Sequence, residues 1–127
     1  MKYIQCFLLF LLVLSCSVAG AGEQQVPATG TDLVRNCQFF SAVSNLPWGW
    51  EVLDVNQSVT ICLAFMNKLI DQQKDPKAKK TFCLPDNVED RQLAATFVTY
   101  AHKYPKLLTK DADTAAAEVL SKAYPCK

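Results

Sequence analysis

Apolar side chains recur at steps of three and four residues in four stretches of this chain, which is the spacing of amphipathic helices. The stretches cover about residues 32–44, 54–73, 88–104 and 111–123. Each stretch runs toward a proline, and a proline would stop a helix. These prolines are Pro47, Pro76, Pro105 and Pro125. The pattern predicts an all-α fold, a small bundle of about four helices.

The first two stretches carry a cysteine on their apolar faces. In the first, Cys37 shares its face with Leu33 and Phe40. Asp32 is available as the N-cap of this helix. In the second, Cys62 falls within the longest amphipathic pattern of the chain. The other apolar positions of that pattern are Val55, Val59, Met66, Leu69 and Ile70. Both cysteines are therefore predicted to point into the core.

The last two stretches differ in composition. The third is preceded by Asp86 and Glu89, which have the spacing of a capping box. Its predicted apolar face consists of Leu93, Phe97, Tyr100, Ala101 and Tyr104. The fourth is rich in alanine, and its predicted apolar face consists of Ala112, Ala116, Val119, Leu120 and Ala123. Small side chains there would let a neighbouring helix approach closely.

Short connections favour antiparallel neighbours, so the first two helices and the last two are each predicted to form a hairpin. Cys37 lies about as far before the turn at residues 47–50 as Cys62 lies after it. Cys83 comes just before the third helix and Cys126 just after the fourth, so both lie at one end of the second hairpin. We therefore predict the disulfides Cys37–Cys62 and Cys83–Cys126. The chain-entropy model gives roughly 3.5–4 kcal/mol for each.

The first residues have the layout of an export signal. One lysine near the start precedes an apolar run, which is too short to span a bilayer and is followed by small residues. Ala19-Gly20-Ala21 offers a cleavage site, so we predict a signal peptide over residues 1–21. A second interpretation takes Cys16 as a lipidated N-terminus tethered to a membrane. The polar residues 22–31 are predicted to be a flexible lead-in, and residues 32–127 a single helical domain.

Charge and cysteine count narrow the class of protein. The chain of 127 residues has a formal net charge of +1 and no basic stripe, which argues against a nucleic-acid partner. Two of the six cysteines, Cys6 and Cys16, would leave with the signal. The remaining four would form disulfides in an oxidising compartment, as is typical of an exported protein of this size.

Candidate catalytic and metal-binding residues are sparse. The single histidine, His102, lies near the end of the third helix, where a histidine often only meets the helix dipole. Neither a Cys/His pair nor a zinc site can be assembled around it. We therefore predict no catalytic residues, no metal and no cofactor. A hydrolase with an unrecognised pair of carboxylates remains a minority hypothesis.

Residues 74–80 contain no apolar side chain except Ala78, so they are predicted to form a solvated loop. Most such runs only confer solubility. The alternative is that the loop docks into an acidic groove on another protein.

Two motifs in the second half of the chain carry a family resemblance. The first is Thr81-Phe82-Cys83-Leu84-Pro85, followed by a helix that reaches Tyr104-Pro105. The second is Ala123-Tyr124-Pro125-Cys126, which closes an alanine-rich helix. Together they resemble the Rap/Tai family of periplasmic immunity proteins, with this chain as a divergent member and the likeness covering about residues 33–126.

The resemblance implies a small α-helical protein, in some cases a homodimer, that binds a type VI secretion peptidoglycan amidase and blocks its catalytic groove. The partner would be the enzyme, and this chain would perform no chemistry. The residues that we predict to contact the partner are Lys74, Lys77, Lys79, Lys80, Tyr104 and Lys106. The alternative function is that of a periplasmic chaperone or a carrier of small apolar ligands.

Overall fold

The computed structural model describes residues 26–43 and 57–127. These residues form five α-helices and one 3₁₀ helix, with no strand among them, so the all-α prediction is confirmed. The helices are α1 (Gly30–Cys37), α2 (Phe39–Val43), α3 (Gln57–Lys74), α4 (Asp90–Lys103), the 3₁₀ helix (Pro105–Thr109) and α5 (Ala112–Ala123). The predicted signal peptide, the turn at 47–50 and the predicted start of the second helix at 54 lie outside the described residues.

The first predicted helix is divided into α1 and α2 at Gln38. The Gln38 N–H still donates to the carbonyl oxygen of Val34, as in an α-helix, at 2.7 Å. The Ser41 N–H, however, donates to the Gln38 carbonyl only three residues earlier, at 3.2 Å. This hydrogen bond closes a tighter, three-residue turn. The turn interrupts the regular α-helical pattern, so one predicted stretch becomes two short helices.

The N-cap predicted for the first helix is wrong. Thr29 is the N-cap of α1, and its hydroxyl accepts a hydrogen bond from the Asp32 N–H at 3.2 Å. The Asp32 carboxylate in turn accepts from the Thr29 N–H at 3.1 Å. Asp32 is therefore the third residue of a reciprocal capping box rather than the cap itself.

The lead-in predicted to be flexible through Thr31 is anchored from Ala28 onward. The Ala28 carbonyl accepts from the Ala112 N–H at 3.1 Å, and the Gly30 N–H donates to the Lys110 carbonyl at 3.0 Å. Between these bonds, Thr29 forms an antiparallel bridge with Asp111. A pairing between residues so distant in sequence leaves no periodic signal in the chain. The helix begins at Gly30 rather than at residue 32.

The capping box predicted for the third helix does not form. Glu89 occupies the N-cap position of α4, but its side chain makes no capping hydrogen bond. Residues 86 and 87 form a turn, with the Val88 N–H 3.4 Å from the Pro85 carbonyl oxygen. Asp86 therefore lies too far before the helix to cap it.

Helix α4 lies at the centre of the fold, packed against α1, α2, α3, α5 and the 3₁₀ helix. Its buried residues are Leu93, Ala94, Phe97, Val98 and Ala101, all fully inaccessible to solvent. The two predicted hairpins therefore share one core. Tyr104, predicted on the apolar face, is 39% exposed because the helix ends at Lys103.

Helix α5 can pack closely because its inner face is built of alanines. Ala112, Ala115 and Ala116 are buried, and Ala115 faces Gly30 at the start of α1. A β-carbon at Gly30 would lie only 2.5 Å from the Ala115 β-carbon and 2.9 Å from the Leu108 α-carbon. Only glycine fits this approach, so the close contact predicted for the alanine-rich helix is made against α1.

Both predicted disulfides are confirmed. Cys37 and Cys62 are bonded with a Cα–Cα distance of 5.1 Å, and they join α1 to α3. Cys83 and Cys126 are bonded with a Cα–Cα distance of 4.9 Å. The Cys83 N–H also donates to the Tyr124 carbonyl at 2.9 Å, so the segment before α4 is held to the end of α5.

We expect part of the protein's stability to be lost in acid, because aspartates take part in the caps of α1 and α5. Hydrogen bonds from Thr29 lower the pKa of Asp32, and those from Thr114 lower the pKa of Asp111, both from an ordinary value of 3.8. A lowered pKa in the folded state gives stability that is complete above the ordinary pKa and lost as the pH falls through the folded-state pKa.

Asp111→Asn tests this, because asparagine also caps helices but does not titrate in this range. We expect the variant to resemble the parent in melting temperature near neutral pH and to lose less stability below about pH 4. Thermal denaturation across this range is the measurement. If the melting temperatures of the two proteins fall equally as the pH drops below about 4, the assignment is contradicted.

Candidate partner-binding surface

Residues 75–82, which we call the lysine loop, connect α3 to the segment that leads into α4. Lys74, predicted as part of this loop, is the last residue of α3 and forms an ion pair with Asp71 at 2.8 Å. The Asp75 carboxylate accepts the Lys77 N–H at 2.8 Å, and the Asp75 carbonyl lies 3.3 Å from the Ala78 nitrogen. The loop therefore opens with a hydrogen-bonded turn.

The outer face of the lysine loop is cationic. Lys77, Lys79 and Lys80 are all exposed. None of the three takes part in an ion pair within residues 26–43 and 57–127, whereas Lys68, Lys74 and Lys110 each pair with a carboxylate. These unneutralised charges make the loop a candidate surface for an acidic partner.

The far end of the lysine loop is fixed to the body of the protein. Phe82 is only 3% exposed and belongs to the hydrophobic core. Cys83, the next residue, is bonded to Cys126. The near end continues directly from α3, whose Leu69 and Met66 are buried. Both ends are therefore held, and only the polar middle of the loop faces solvent.

Two open clefts flank the lysine loop. The first, the Cys83 cleft, has a volume of about 220 Å³ and is lined by Ile70, Gln73, Lys74, Lys80, Cys83, Leu84, Pro85, Asp86 and Val88. The second, the Asp113 cleft, has a volume of about 390 Å³ and is lined by Lys68, Leu69, Gln72, Gln73, Ala78, Lys79, Thr81, Phe82, Asp113 and Ala117. Lysines line both clefts beside apolar side chains, which suits a mixed protein surface better than an apolar ligand.

Gln73 belongs to both clefts, and sequence reasoning did not single it out. Its Oε1 atom is buried and accepts no hydrogen bond from any described residue. An unpaired buried acceptor costs about 1–3 kcal/mol. Hydrogen bonding is therefore less complete at the base of the lysine loop than in the core, which has no buried polar side chain among the described residues.

The remaining two predicted contact residues lie elsewhere. Tyr104 caps the last turn of α4, and Lys106 lies in the 3₁₀ helix that follows. Lys74 and Lys80 instead line the cleft formed with residues 83–88, which lead into the first turn of α4. The 14 residues of α4 span about 20 Å, so the predicted surface divides into two areas toward different ends of this helix.

The second area, which we call the Tyr104 area, is itself cationic. It contains Tyr104 with Lys103, Lys106 and Lys122. The Lys122 Nζ lies 5.8 Å from the centroid of the Tyr104 ring, and the Lys103 Nζ lies 4.7 Å from that of Tyr100. Such cation–π contacts hold a lysine ammonium over an aromatic ring, and at exposed sites they contribute only a small stabilising free energy. Lys122 was missed from the sequence because nothing in its spacing relates it to Tyr104 across the helix pair.

His102 is exposed in the last turn of α4, as predicted from the sequence. Within the part of the chain that the structure describes, no group of three or more His, Cys, Asp or Glu residues is arranged to hold a metal ion. The same residues contain no helix both long and apolar enough to cross a bilayer.

The fold and its surface define a small disulfide-linked helical protein with a cationic loop held at both ends. A family model described as Rap1a immunity proteins matches residues 29–126, which is most of the chain. The chain therefore belongs to the Rap1a immunity protein family, and the Rap/Tai resemblance is confirmed. It is an immunity protein, a class that acts by binding a toxin effector. No curated protein and no solved structure matches the chain.

Proposed function

We propose that this immunity protein binds a peptidoglycan amidase delivered by type VI secretion and covers its catalytic groove with the lysine loop. The observation that carries the proposal is a loop fixed at both ends, by α3 and by Phe82 with Cys83, that presents three lysines without ion-pair partners. The protein would act as an inhibitor in the periplasm and not as an enzyme. Its two disulfides support an oxidising compartment.

The held ends of the loop favour tight inhibition for a thermodynamic reason. Binding costs about 0.5–1.5 kcal/mol for each side chain that must be ordered, and ordering of the loop backbone adds to this. The Asp75 turn and the Phe82 anchor impose part of that order before the partner arrives. A pre-organised loop therefore loses less entropy on entering a groove than a free segment would.

The charge of the loop favours an acidic rim around the target groove. Complementary charges steer the encounter of two proteins and raise the association rate, and the effect weakens as salt increases. Lys77, Lys79 and Lys80 need not break an existing ion pair to meet carboxylates on a partner. Tyr104 and Lys106 would form a second contact area toward the other end of α4.

The proposal is tested with the purified protein and exported peptidoglycan amidases, beginning with one encoded beside it. Hydrolysis of isolated cell-wall peptides is measured at increasing ratios of the immunity protein. We expect complete inhibition near equimolar amounts of the cognate amidase. An immunity protein that forms a stable complex with its effector without slowing hydrolysis would contradict the blocked groove.

Two matched triple variants locate the contact. Lys77→Glu, Lys79→Glu and Lys80→Glu together reverse the loop, and Lys103→Glu, Lys106→Glu and Lys122→Glu reverse the Tyr104 area with the same change in net charge. We expect the loop variant to weaken amidase binding by at least about tenfold, mainly by slowing association. Stopped-flow association rates at low and high salt measure the effect. An equal loss from both variants would remove the special role of the lysine loop.

A further inference from the structure

The two disulfides differ sharply in exposure. Cys37 and Cys62 are both fully inaccessible to solvent, within a cluster that includes Leu33, Phe40 and Met66. Cys126 is exposed and Cys83 is half-buried. Thiol–disulfide exchange requires a thiolate to reach one of the bonded sulfurs, so its rate depends on access. The fold therefore holds one shielded cross-link and one that solvent reaches.

The surroundings of Cys83 also favour exchange. Cys83 lines a cleft that Lys74, Lys80 and Asp86 also line; Lys74 is paired with Asp71, whereas Lys80 has no ion-pair partner among the described residues. Nearby ammonium groups stabilise a thiolate, and a stabilised thiolate is a better leaving group in exchange. Attack on the Cys126 sulfur would release the Cys83 sulfur as a thiolate into this open cleft, which Lys80 also lines.

We propose that Cys83–Cys126 is an exchange site for a dithiol reductant and that its opening loosens the lysine loop while Cys37–Cys62 stays closed. One thiolate of the reductant attacks the Cys126 sulfur, the protein disulfide breaks, and Cys83 leaves as a thiolate that takes up a proton. The second thiolate of the reductant then attacks its own sulfur in the mixed disulfide and releases Cys126. Two electrons pass to the protein, and the reductant becomes a disulfide.

Loss of this bond removes one of the three contacts that hold the far end of the lysine loop. The other two are the burial of Phe82 and the hydrogen bond from the Cys83 N–H to the Tyr124 carbonyl; neither needs the disulfide, so we expect both to persist. The shielded Cys37–Cys62 bond continues to join α1 to α3. The reduced protein therefore keeps its helices, and the change is concentrated in residues 77–82 and 124–127.

The first test uses the full folded protein and dithiothreitol as the reductant. Samples taken over time are trapped with iodoacetamide, and modification of each cysteine is measured by peptide mass spectrometry. We expect Cys83 and Cys126 to be modified about tenfold or more faster than Cys37 and Cys62. Equal rates at all four cysteines, or earlier modification of the Cys37 pair, would overturn the assignment.

The second test measures amide hydrogen exchange in the singly reduced protein and in the Cys83→Ser/Cys126→Ser variant. We expect faster exchange at residues 77–82, with amides of the central helix at 93–101 unchanged. Unchanged exchange in the lysine loop would overturn the coupling. We also expect reduction to weaken amidase binding, and that expectation rests on the proposed function. The two tests above use the free protein, so their results do not depend on that function.

Discussion

Replacing Phe97 with alanine is expected to lower the free energy of unfolding by about 3–5 kcal/mol, because the ring is fully buried in the central helix. Helix α4 packs against four other α-helices, so no single neighbour can move to fill the space without losing contacts elsewhere. A domain of this size has a total stability of about 5–15 kcal/mol. The variant should therefore be close to unfolding at physiological temperature.

Urea denaturation followed by circular dichroism measures this effect. Gln92→Ala is the matched control, since Gln92 lies in the same helix and is exposed. The control should change stability by less than about 0.5 kcal/mol. A Phe97 variant no less stable than the control would contradict the central place given to α4.

The second large effect is expected from removal of the buried disulfide by Cys37→Ala and Cys62→Ala. The bond closes a sequence separation of 25 residues, for which the chain-entropy model gives about 3.5 kcal/mol. Both residues are fully buried in the core, so alanine also leaves unfilled space between α1 and α3. We expect a loss of about 3–5 kcal/mol in the free energy of unfolding.

The comparison that isolates burial is Cys83→Ala with Cys126→Ala. This pair closes a longer separation of 43 residues, so chain entropy alone would make its loss slightly larger. Because Cys126 is exposed, little buried packing is lost with it. Denaturation of both double variants should rank the Cys37 pair as the more damaging loss; the reverse order would mean that chain entropy alone decides.

The sequence predicted the helices from their local periodicity, and it predicted the cysteine pairing from the positions of the cysteines in two predicted hairpins. The three- and four-residue steps place Leu93, Phe97 and Ala101 on one face, and that face is buried. The lengths of the connecting segments bring Cys37 to Cys62 and Cys83 to Cys126. The bonded cysteines are 25 and 43 residues apart, and the order and length of the predicted helices were enough to pair them.

The errors have one long-range cause and one local cause. Thr29 caps α1 where the chain is paired with Asp111, a partner that the periodic pattern does not reveal. Tyr104 continues the apolar spacing of α4 in sequence but lies just past the end of that helix. Composition and spacing cannot show the first, which is a long-range effect. The second is local, because Pro105 disfavours helical backbone at the residue before it.

The candidate surface was predicted in part for the same reasons. A polar run with four lysines predicted an exposed loop, and the loop is exposed at Lys77, Lys79 and Lys80. Its two clefts could not be predicted, because they also need Asp113 from α5 and Val88 from the approach to α4. That the two lysine-rich areas lie toward different ends of α4, a helix about 20 Å long, was likewise hidden from the sequence.

The most direct test of the proposed function is amide hydrogen exchange of the immunity protein alone and in complex with its amidase. We predict that amides of residues 77–82 become strongly protected in the complex, because the lysine loop would enter the groove of the enzyme. Protection confined to other surfaces, with residues 77–82 exchanging as in the free protein, would contradict it.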